Sequence, residues 1–428
     1  GLGSGTLSAD VLTLRAFTDN LDGVFQSAGH SIIANRVVAG VPGANLATLD
    51  LSGSANQIRA LSVGAESATV NDANNGYALD LSGTAASLTV NTSSGLTQSA
   101  PLTTNFFLLT TSDPNPVAGA VVLTHAANNI NEIAFTVASH ISVTTSGNLT
   151  VAGDSSVEAG GDIRFSAGGV FSMAEDIAST GALGTPLIDI RSAGFNHRGF
   201  GLLLAPGGRF VVQSTDYTQD DFGPIGFGSG ATNFNFVVFN GYTGTVPTSG
   251  NGLITNQTGL LVTNPADLGA VTKTYDGTTA INLSATGVNA SAFAETLSGS
   301  APLQPVSSYT ANLSGNFDNN AIGTDKGFSL LASNDTATST TAGVTYYGLQ
   351  VAAYTRPVGP SAVTPISAIA PSPLSLFEEL RFEQYLQGVS DAQEPFRRAM
   401  AEALAAGFGK ENIRKRLSQG LVFETGLA

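Results

Sequence analysis

Short apolar segments recur every six to eight residues along much of this chain, with Gly, Asn, Asp or Ser between them. The pattern is clearest from Ile141 to Ile190, where segments such as Leu149-Thr-Val151 and Ile163-Arg-Phe165 alternate apolar and polar residues. Alternation with a period of two is typical of a strand with one buried face. The intervening Gly147-Asn148 is a turn dipeptide. The sequence therefore predicts many short strands joined by tight bends.

The spacing of these segments favours a parallel β-solenoid over a series of hairpins. Each strand has room for only three to five residues, and three such strands form one coil of about twenty residues. A single coil cannot bury its own apolar face, so it must stack on its neighbours. Stacked coils present surfaces and span distances, which favours a structural or binding role over catalysis.

Composition narrows the function classes further. Only 11% of the 428 residues are charged, while 42% are apolar and periodic, which indicates a folded chain and not a disordered one. The net charge of −15 argues against binding to nucleic acid. The chain has no Cys, which excludes a disulfide framework and suits export through an oxidising compartment. No stretch is long and apolar enough to predict a transmembrane helix.

Residues 1–265 carry the strand pattern and are predicted to form the solenoid stalk. A short internal repeat supports this prediction, because Leu49-Asp-Leu-Ser-Gly53 recurs as Leu79-Asp-Leu-Ser-Gly83. Within the stalk, residues 198–245 are rich in Phe and Tyr and interrupt the pattern. They form either an inserted side loop with a recognition surface or a cap over the last coils. We favour the cap, because an open solenoid end must be covered to block edge pairing.

Three further regions follow the stalk. Residues 266–355 are predicted to form a small all-β, sandwich-like domain, since strand-like segments continue to Tyr354. Residues 356–372 are a Pro-rich linker. Residues 373–428 are predicted to form an α-helical tail, because charged residues become frequent and capping signals such as Ser390 with Gln393 appear.

The tail offers either a docking surface or an internal packing surface. Its predicted helices place an apolar face beside a basic stripe, at Phe396, Met400, Leu404, Arg414, Lys415 and Arg416. These six residues are the candidates for docking onto a partner at the cell envelope, because the linker separates the tail from the stalk. The alternative is that the helices pack on one another or cap the β domain.

Two neighbouring segments hold the candidate ligand-binding residues. The candidates are Asn196, His197, Arg198, Tyr217, Asp220 and Asp221. The first three stand just before the densest aromatic part and suit a glycan- or protein-binding patch. The last three lie within the aromatic segment and belong to the recognition surface that it would form as a side loop.

Catalysis is not expected. Polysaccharide-cleaving β-helix enzymes need a carboxylate cluster with a nearby cation on one face. The candidates for such a cluster are Asp154, Glu158, Asp162 and Arg164, and the loop acids Asp216, Asp220 and Asp221. Acids such as Asp154 and Asp162 more often bind their own backbone at bends. The four histidines have no ligand-like spacing, so no catalytic residue, metal or cofactor is predicted.

Two motifs in residues 266–355 resemble a known domain. Lys273-Thr-Tyr-Asp-Gly-Thr-Thr279 is similar to the opening motif of the YDG-type domain of large secreted bacterial exoproteins of the filamentous-haemagglutinin class. Phe317-Asp-Asn-Asn-Ala-Ile-Gly-Thr-Asp-Lys326 resembles the second motif of that domain. The stalk resembles, by its pattern, the right-handed β-helix of such exoproteins.

The resemblance implies the C-terminal part of an exoprotein that a two-partner system secretes through a separate outer-membrane transporter. Its place would be extracellular or at the outer-membrane-associated cell surface, with the tail as an envelope anchor. A host-surface or matrix glycan or protein would be its ligand, and self-association is a further expectation. The expected function is thus a non-enzymatic surface adhesin or filamentous structural exoprotein; a polysaccharide-processing β-helix enzyme and a self-assembling filament subunit are the alternatives.

Overall fold

Strands account for almost all of the regular structure in this chain. The computed structural model describes residues 5–15, 23–40, 45–74, 76–115, 117–180, 185–257, 259–261, 271–290, 306–324, 326–331, 337–341, 343–351, 354–356 and 361–364. Within these ranges there are 34 strands, and the one helical element is the 3-10 turn Tyr217–Gln219. The predicted mainly β fold is therefore confirmed.

Twenty-five strands lie between Thr6 and Leu261. They are β1 (Thr6–Leu14), β2 (Val24–Phe25), β3 (Ser31–Ala39), β4 (Leu46–Leu51), β5 (Gln57–Ile58), β6 (Ala60–Asp72), β7 (Leu79–Thr92), β8 (Leu96–Thr97), β9 (Leu102–Thr111), β10 (Val121–Leu123), β11 (Asn129–Ile130), β12 (Glu132–Val137), β13 (Ile141–Thr145), β14 (Leu149–Val151), β15 (Ser155–Val157), β16 (Ile163–Ala167), β17 (Val170–Met173), β18 (Ile177–Ser179), β19 (Leu187–Ser192), β20 (Gly194–His197), β21 (Leu203–Leu204), β22 (Arg209–Ser214), β23 (Phe236–Val238), β24 (Gly252–Thr255) and β25 (Gly259–Leu261).

These strands stack as the coils of a parallel β-solenoid of about nine turns. In the coil that starts at Ile141, β13, β14 and β15 pair in parallel with β16, β17 and β18 of the next coil. Those three strands pair in turn with β19, β20 and β21. Three faces therefore run along this part of the solenoid. The predicted parallel β-helix is confirmed, and its right-handed sense stays a prediction.

Strands in the early coils are longer than the sequence pattern indicates. β6 has 13 residues and β7 has 14, against the expected three to five. The two strands pair in parallel from Ala60 beside Asp80 onward. Gly83 has a φ of +111° and lies beside Val63, so β7 changes direction there without leaving the ladder. In β7 the expected length is wrong because a glycine corner bends the strand without ending its hydrogen bonding.

The spacing between the two copies of Leu-Asp-Leu-Ser-Gly does not equal the length of one coil. Leu49 lies beside Ala68, and Ala68 lies beside Leu88. Leu79, the matching residue of the second copy, lies beside Leu96 instead. The two copies occupy different columns of the solenoid, because thirty residues carry the chain past one coil and onto another face.

Columns of buried apolar side chains run along the interior. One column, whose members are at most 1% exposed, contains Leu79, Leu96, Val121, Ile141, Ile163, Ile188 and Phe210. A second column of fully buried residues contains Leu123, Val143, Phe165, Ile190, Val212, Leu253 and Val237. This continuous core is what a single coil cannot form alone, and its removal from water is the main stabilising contribution.

Buried amides close bends between coils. Asn56 is fully buried, its Oδ1 accepts the Ile32 N–H at 2.8 Å, and its Nδ2 donates to the Leu51 carbonyl oxygen at 2.8 Å. The side-chain amides of Gln26 and Asn56 also donate to each other, at 2.7 and 2.9 Å. Because every polar atom of the Asn56 side chain is satisfied, the bend is held without a buried, unpaired group.

Most rings of the aromatic segment lie inside the solenoid. The buried members are Phe210, Phe222, Phe227, Phe234, Phe236 and Phe239. Phe222 and Phe234 meet edge to face with ring centroids 5.3 Å apart. Tyr217 and Tyr242 are half-buried, and Phe200 is 94% exposed. All of these buried rings except Phe236 belong to the hydrophobic core and extend the part that the aliphatic columns begin.

Nine strands follow in residues 271–364. They are β26 (Val271–Thr274), β27 (Ala280–Ala290), β28 (Val306–Phe317), β29 (Gly323–Thr324), β30 (Phe328–Leu331), β31 (Ala337–Thr341), β32 (Val344–Val351), β33 (Tyr354–Arg356) and β34 (Ser361–Thr364). β27 pairs antiparallel with β28, and β28 pairs antiparallel with β30. β26, β34 and β29 form a separate three-stranded sheet. The sandwich-like domain stays a prediction, and the predicted helical tail lies outside the described residues.

The last layers of the solenoid stack out of chain order. β24 pairs in parallel with β22 on one side and with β23 on the other. β23 then pairs in parallel with β32, which places Val237 beside the fully buried Tyr346. β32 also pairs in parallel with β25. A strand from the later part of the chain thus adds a layer to the solenoid and covers its core.

Candidate ligand-binding groove

An open groove of about 850 Å³ lies on the face formed by β14, β17 and β20, beside the turn Tyr217–Gln219. Its lining is polar apart from Val170 and includes hydroxyl, amide and carboxylate side chains. Residues of the turn close one part of it, among them Thr218 and Gln219. The groove therefore combines outward positions of stacked strands with one loop.

Five polar residues, here called the groove column, line the groove one from each of five successive coils. Strand register places Glu132 beside Thr150, Thr150 beside Ser172, and Ser172 beside Asn196. An isolated parallel bridge joins Asn196 to Asp221. Neighbouring strands lie about 4.8 Å apart, so the groove column is about 19 Å long. Stacking alone brings these residues together, since they are distant in the sequence.

The three residues of the segment Asn196–Arg198 do not all lie on the surface. Asn196 and Arg198 line the groove, and Arg198 is exposed. His197 is only 3% exposed and lies beside Met173 in an interior column. Its Nε2 donates to the Gly201 carbonyl oxygen at 2.7 Å, which ties the next bend to the coil. Alternation along β20 thus leaves two of the three predicted residues at the groove and places His197 in the core.

Asp220 lines the groove with a buried carboxyl group. The residue is 3% exposed, and its Oδ1 accepts the Phe195 N–H at 2.8 Å and the Ser214 hydroxyl at 2.7 Å. Its Oδ2 is buried and has no hydrogen-bond partner. Burial raises the pKa of Asp220 to about 6, although both hydrogen bonds act to lower it. Asp220 is the most perturbed ionisable group in the groove lining.

Asp221 and Tyr217 occupy the two sides of the same turn. Asp221 is half-buried, lines the groove, and accepts the Gly223 N–H at 3.0 Å. Tyr217 begins the 3-10 turn and is half-buried, but it is not among the residues that line the groove. Asp216 caps this turn by accepting the Thr218 N–H at 3.2 Å. Of the six ligand-binding candidates, the structure therefore brings together Asn196, Arg198, Asp220 and Asp221.

Of the acids considered for catalysis, Asp220 and Asp221 line the groove, whereas Asp154, Glu158 and Asp162 do not. Asp162 forms an ion pair with Arg164 at 2.8 Å, and its Oδ1 accepts the Leu187 N–H at 3.0 Å. Asp154 and Glu158 are exposed. Asp162 does bind backbone at a bend, as expected for these acids, but the backbone belongs to the next coil and not to its own. Its carboxylate therefore stabilises the stacking of two coils.

The two YDG-like motifs contact each other. In the first, Lys273 Nζ donates to the Thr278 carbonyl oxygen at 2.9 Å and lies 2.8 Å from Asp276 Oδ1. The turn between them contains Gly277 in the left-handed region, with a φ of +81°. From the second motif, Asn320 Nδ2 donates to the Gly277 carbonyl oxygen at 3.1 Å. The motifs thus form one local structure, and its identity with a YDG-type domain stays a prediction.

Sequence reasoning missed Glu132, Thr150 and Ser172 of the groove column. Each is a single polar residue in a strand, and the chain contains many residues of that kind. The one available signal is their separation by about one coil length. That signal becomes usable only when the length of every coil is known, because inserted residues change the register from coil to coil.

The candidate docking residues of the tail lie outside the described residues. They are Phe396, Met400, Leu404, Arg414, Lys415 and Arg416. Among the described residues, no three His, Asp or Glu side chains come together in a way that could hold a metal ion. That part of the chain also contains no helix of the length and apolarity needed to cross a membrane.

Comparison with known proteins leaves the groove as the main evidence on function. No family model matches the chain, and neither the curated proteins nor the solved structures include a significant match. The function is therefore argued from the solenoid, the groove and the sequence motifs.

Proposed function

We propose that this chain is the ligand-presenting part of a secreted bacterial surface adhesin. The observation that carries the proposal is the groove column, which assembles polar side chains from five coils into one surface about 19 Å long. Each inner strand of that surface pairs with a neighbour on both sides. Such a surface is ordered before the ligand arrives, so little conformational entropy is lost on binding.

Composition supports a role outside the cell. A chain without Cys needs no redox control during export, and its core of stacked columns needs no disulfide or metal for stability. Small polar residues replace the charged residues that would repel one another when stacked at strand spacing. The resemblance of the two YDG-like motifs to secreted exoproteins points in the same direction.

The arrangement of acids in the groove favours binding over cleavage. Glycosidases place two carboxyl groups about 5 to 10 Å apart, on either side of the bond that is cleaved. Glu132 and Asp221 stand at opposite ends of the groove column, about 19 Å apart. Asp220 is the neighbour of Asp221, but its carboxyl group is buried: Oδ1 is occupied by two hydrogen bonds, and Oδ2 is closed to solvent. This set of acids does not supply a pair that flanks one glycosidic bond.

A retention assay tests the proposal directly. The purified full chain is immobilised and incubated with a glycan panel and with cell-surface proteins, and the amount and length of the eluted ligand are measured. We expect saturable retention of a ligand whose length is unchanged. Shortened glycans would replace the adhesin by a polysaccharide-processing enzyme. Absence of any retention, together with fibres that lengthen with protein concentration in electron micrographs, would favour a filament subunit.

The proposal includes secretion through a separate outer-membrane transporter and retention at the cell surface by the tail. Deletion of residues 371–428 is expected to move the protein from the cell-associated to the released fraction. Replacement of Arg414, Lys415 and Arg416 by Gln is a more selective variant, because it removes three positive charges and keeps the apolar residues Phe396, Met400 and Leu404. Unchanged retention of the deleted chain would rule out the tail as an anchor.

A further inference from the structure

The groove column repeats one side-chain position at every coil. Its members Glu132, Thr150, Ser172, Asn196 and Asp221 follow one another at about 4.8 Å along the solenoid axis. A ligand that contacts the whole column must be extended and must run parallel to that axis. A small, compact ligand would fill only part of the groove.

The chemistry of the lining suits hydroxyl groups. Asn196 offers a donor and an acceptor, and the hydroxyl of Thr150 can act as either. The charged side chains are three acids and one base: Glu132, Asp220, Asp221 and Arg198. With a net charge of −15 on the chain, a polyanionic ligand would meet repulsion here. An apolar ligand would find only Val170 to cover.

An extended peptide has no free strand edge to join on this face. β14 pairs with β12 and β17, and β17 pairs with β14 and β20. The backbone N–H and C=O groups of these strands are therefore engaged along the groove. Peptides that bind by strand addition need an exposed edge. Recognition here depends on side chains, which suits a polymer that carries hydroxyl groups along its length.

We infer that the groove binds a neutral, hydroxyl-rich polysaccharide segment that lies parallel to the solenoid axis. Asn196 and Arg198 donate hydrogen bonds to ligand oxygens, and the Thr150 hydroxyl donates or accepts one. The inference rests on the proposed function and adds the class of ligand and its direction. It predicts recognition by shape and hydrogen bonding, with little dependence on ionic strength, because the ligand carries no charge.

Calorimetric titration of the full chain with neutral oligosaccharides of increasing length tests the inference. We expect affinity to rise with length until the groove column is spanned, and a sulfated polysaccharide to show no saturable binding. Asn196→Ala is expected to weaken binding about tenfold, because two hydrogen-bonding groups of the column are lost. Arg198→Ala removes an exposed side chain that donates to the ligand, and it is also expected to weaken binding. Asn91→Ala is the matched control, since Asn91 is an exposed asparagine of β7 outside the groove.

Several outcomes separate the ligand class from the adhesin role. The ligand class would be overturned by tighter binding of the sulfated polysaccharide or by saturable binding of a peptide in place of a neutral oligosaccharide. It would also be overturned if Asn196→Ala and Asn91→Ala weakened oligosaccharide binding equally. Retention of whole cells with no neutral oligosaccharide bound would overturn the ligand class and leave the adhesin role intact. Oligosaccharides that bind and are recovered shortened would support the ligand class and overturn the non-enzymatic role.

Discussion

Gln26 and Asn56 bind each other through two reciprocal side-chain hydrogen bonds, and Gln98 and Asn128 form the same pair farther along the solenoid. In both pairs the asparagine is fully buried and its Oδ1 also accepts a strand N–H at 2.8 Å. Its Nδ2 donates to a backbone carbonyl as well. The repeated arrangement satisfies buried polar groups at two bends, so we expect each pair to be important for stability.

Asn56→Ala is expected to lower the free energy of unfolding by about 2 to 4 kcal/mol. The change leaves the Ile32 N–H and the Leu51 carbonyl oxygen buried without the partner that Asn56 provides. Gln26→Ala should cost less, because Gln26 is half-buried and water can replace part of what is lost. Urea unfolding followed by circular dichroism measures both variants. A smaller loss in Asn56→Ala than in Gln26→Ala would contradict this account.

Gly83→Ala is expected to destabilise the early coils by about 3 kcal/mol or more. The φ of +111° is unfavourable for alanine, and its Cβ would lie 2.0 Å from the Val63 carbonyl oxygen, so backbone must shift. Gly29→Ala is the matched control, because Gly29 has a φ of +81° with nothing within 4 Å of the added Cβ. Its expected cost is about 1 kcal/mol. Equal shifts in thermal unfolding of the two variants would show that the close approach of Gly83 to Val63 is unimportant.

Two buried carboxyl groups should make stability fall as pH rises from 5 to 8. Burial raises the pKa values of Asp72 and Asp220 to about 6. In the unfolded chain these groups lose their protons near pH 4, so between about pH 4 and 6 the folded chain binds more protons. Stability therefore decreases as pH rises through that window, by about 1 kcal/mol per group between pH 5 and 8. Urea unfolding at these two pH values measures the difference.

Asp72→Asn tests the contribution of one of these groups. Asp72 Oδ1 accepts the Ile58 N–H at 2.9 Å, and an asparagine oxygen can keep that hydrogen bond without a charge, as Asn56 does for Ile32. The variant is expected to lose about half of the pH dependence and to retain the fold. A pH dependence equal to that of the unmodified chain would assign the effect to other groups.

Asp276 is expected to stay ionised down to about pH 2. A hydrogen bond from Lys273, supported by those from Thr278, lowers the pKa of this exposed carboxyl to about 2. Its stabilising contact is therefore present above about pH 4 and is lost as the pH falls through 2. NMR titration of the side-chain carboxyl should give a midpoint near 2 and a higher midpoint in Lys273→Met. The same midpoint in both proteins would exclude Lys273 as the main cause.

Local sequence pattern was sufficient to predict strands in the most regular coils, which begin at Ile141. Leu149-Thr-Val151, identified by alternation, is strand β14 with the same bounds. Pattern was not sufficient at Gly83, where β7 bends and continues, because a corner in a long strand looks like the end of a short one. At the groove, the polar character of Asn196 and Arg198 was visible beside the aromatic segment. Thr150 and Ser172 were not recognisable, because nothing local distinguishes them from other polar strand residues.

By itself, the sequence determined the mainly β class and the need for coils to stack, because an apolar face on every strand has to be covered by the next coil. Only the tertiary structure decided that Asn196 faces the groove while His197 lies in the core, and that Glu132 and Asp221 share one column. Coil lengths vary along the chain, and a slip of one residue in register turns every side chain of a strand to the opposite face. The site is therefore a property of the stacking and not of any single segment.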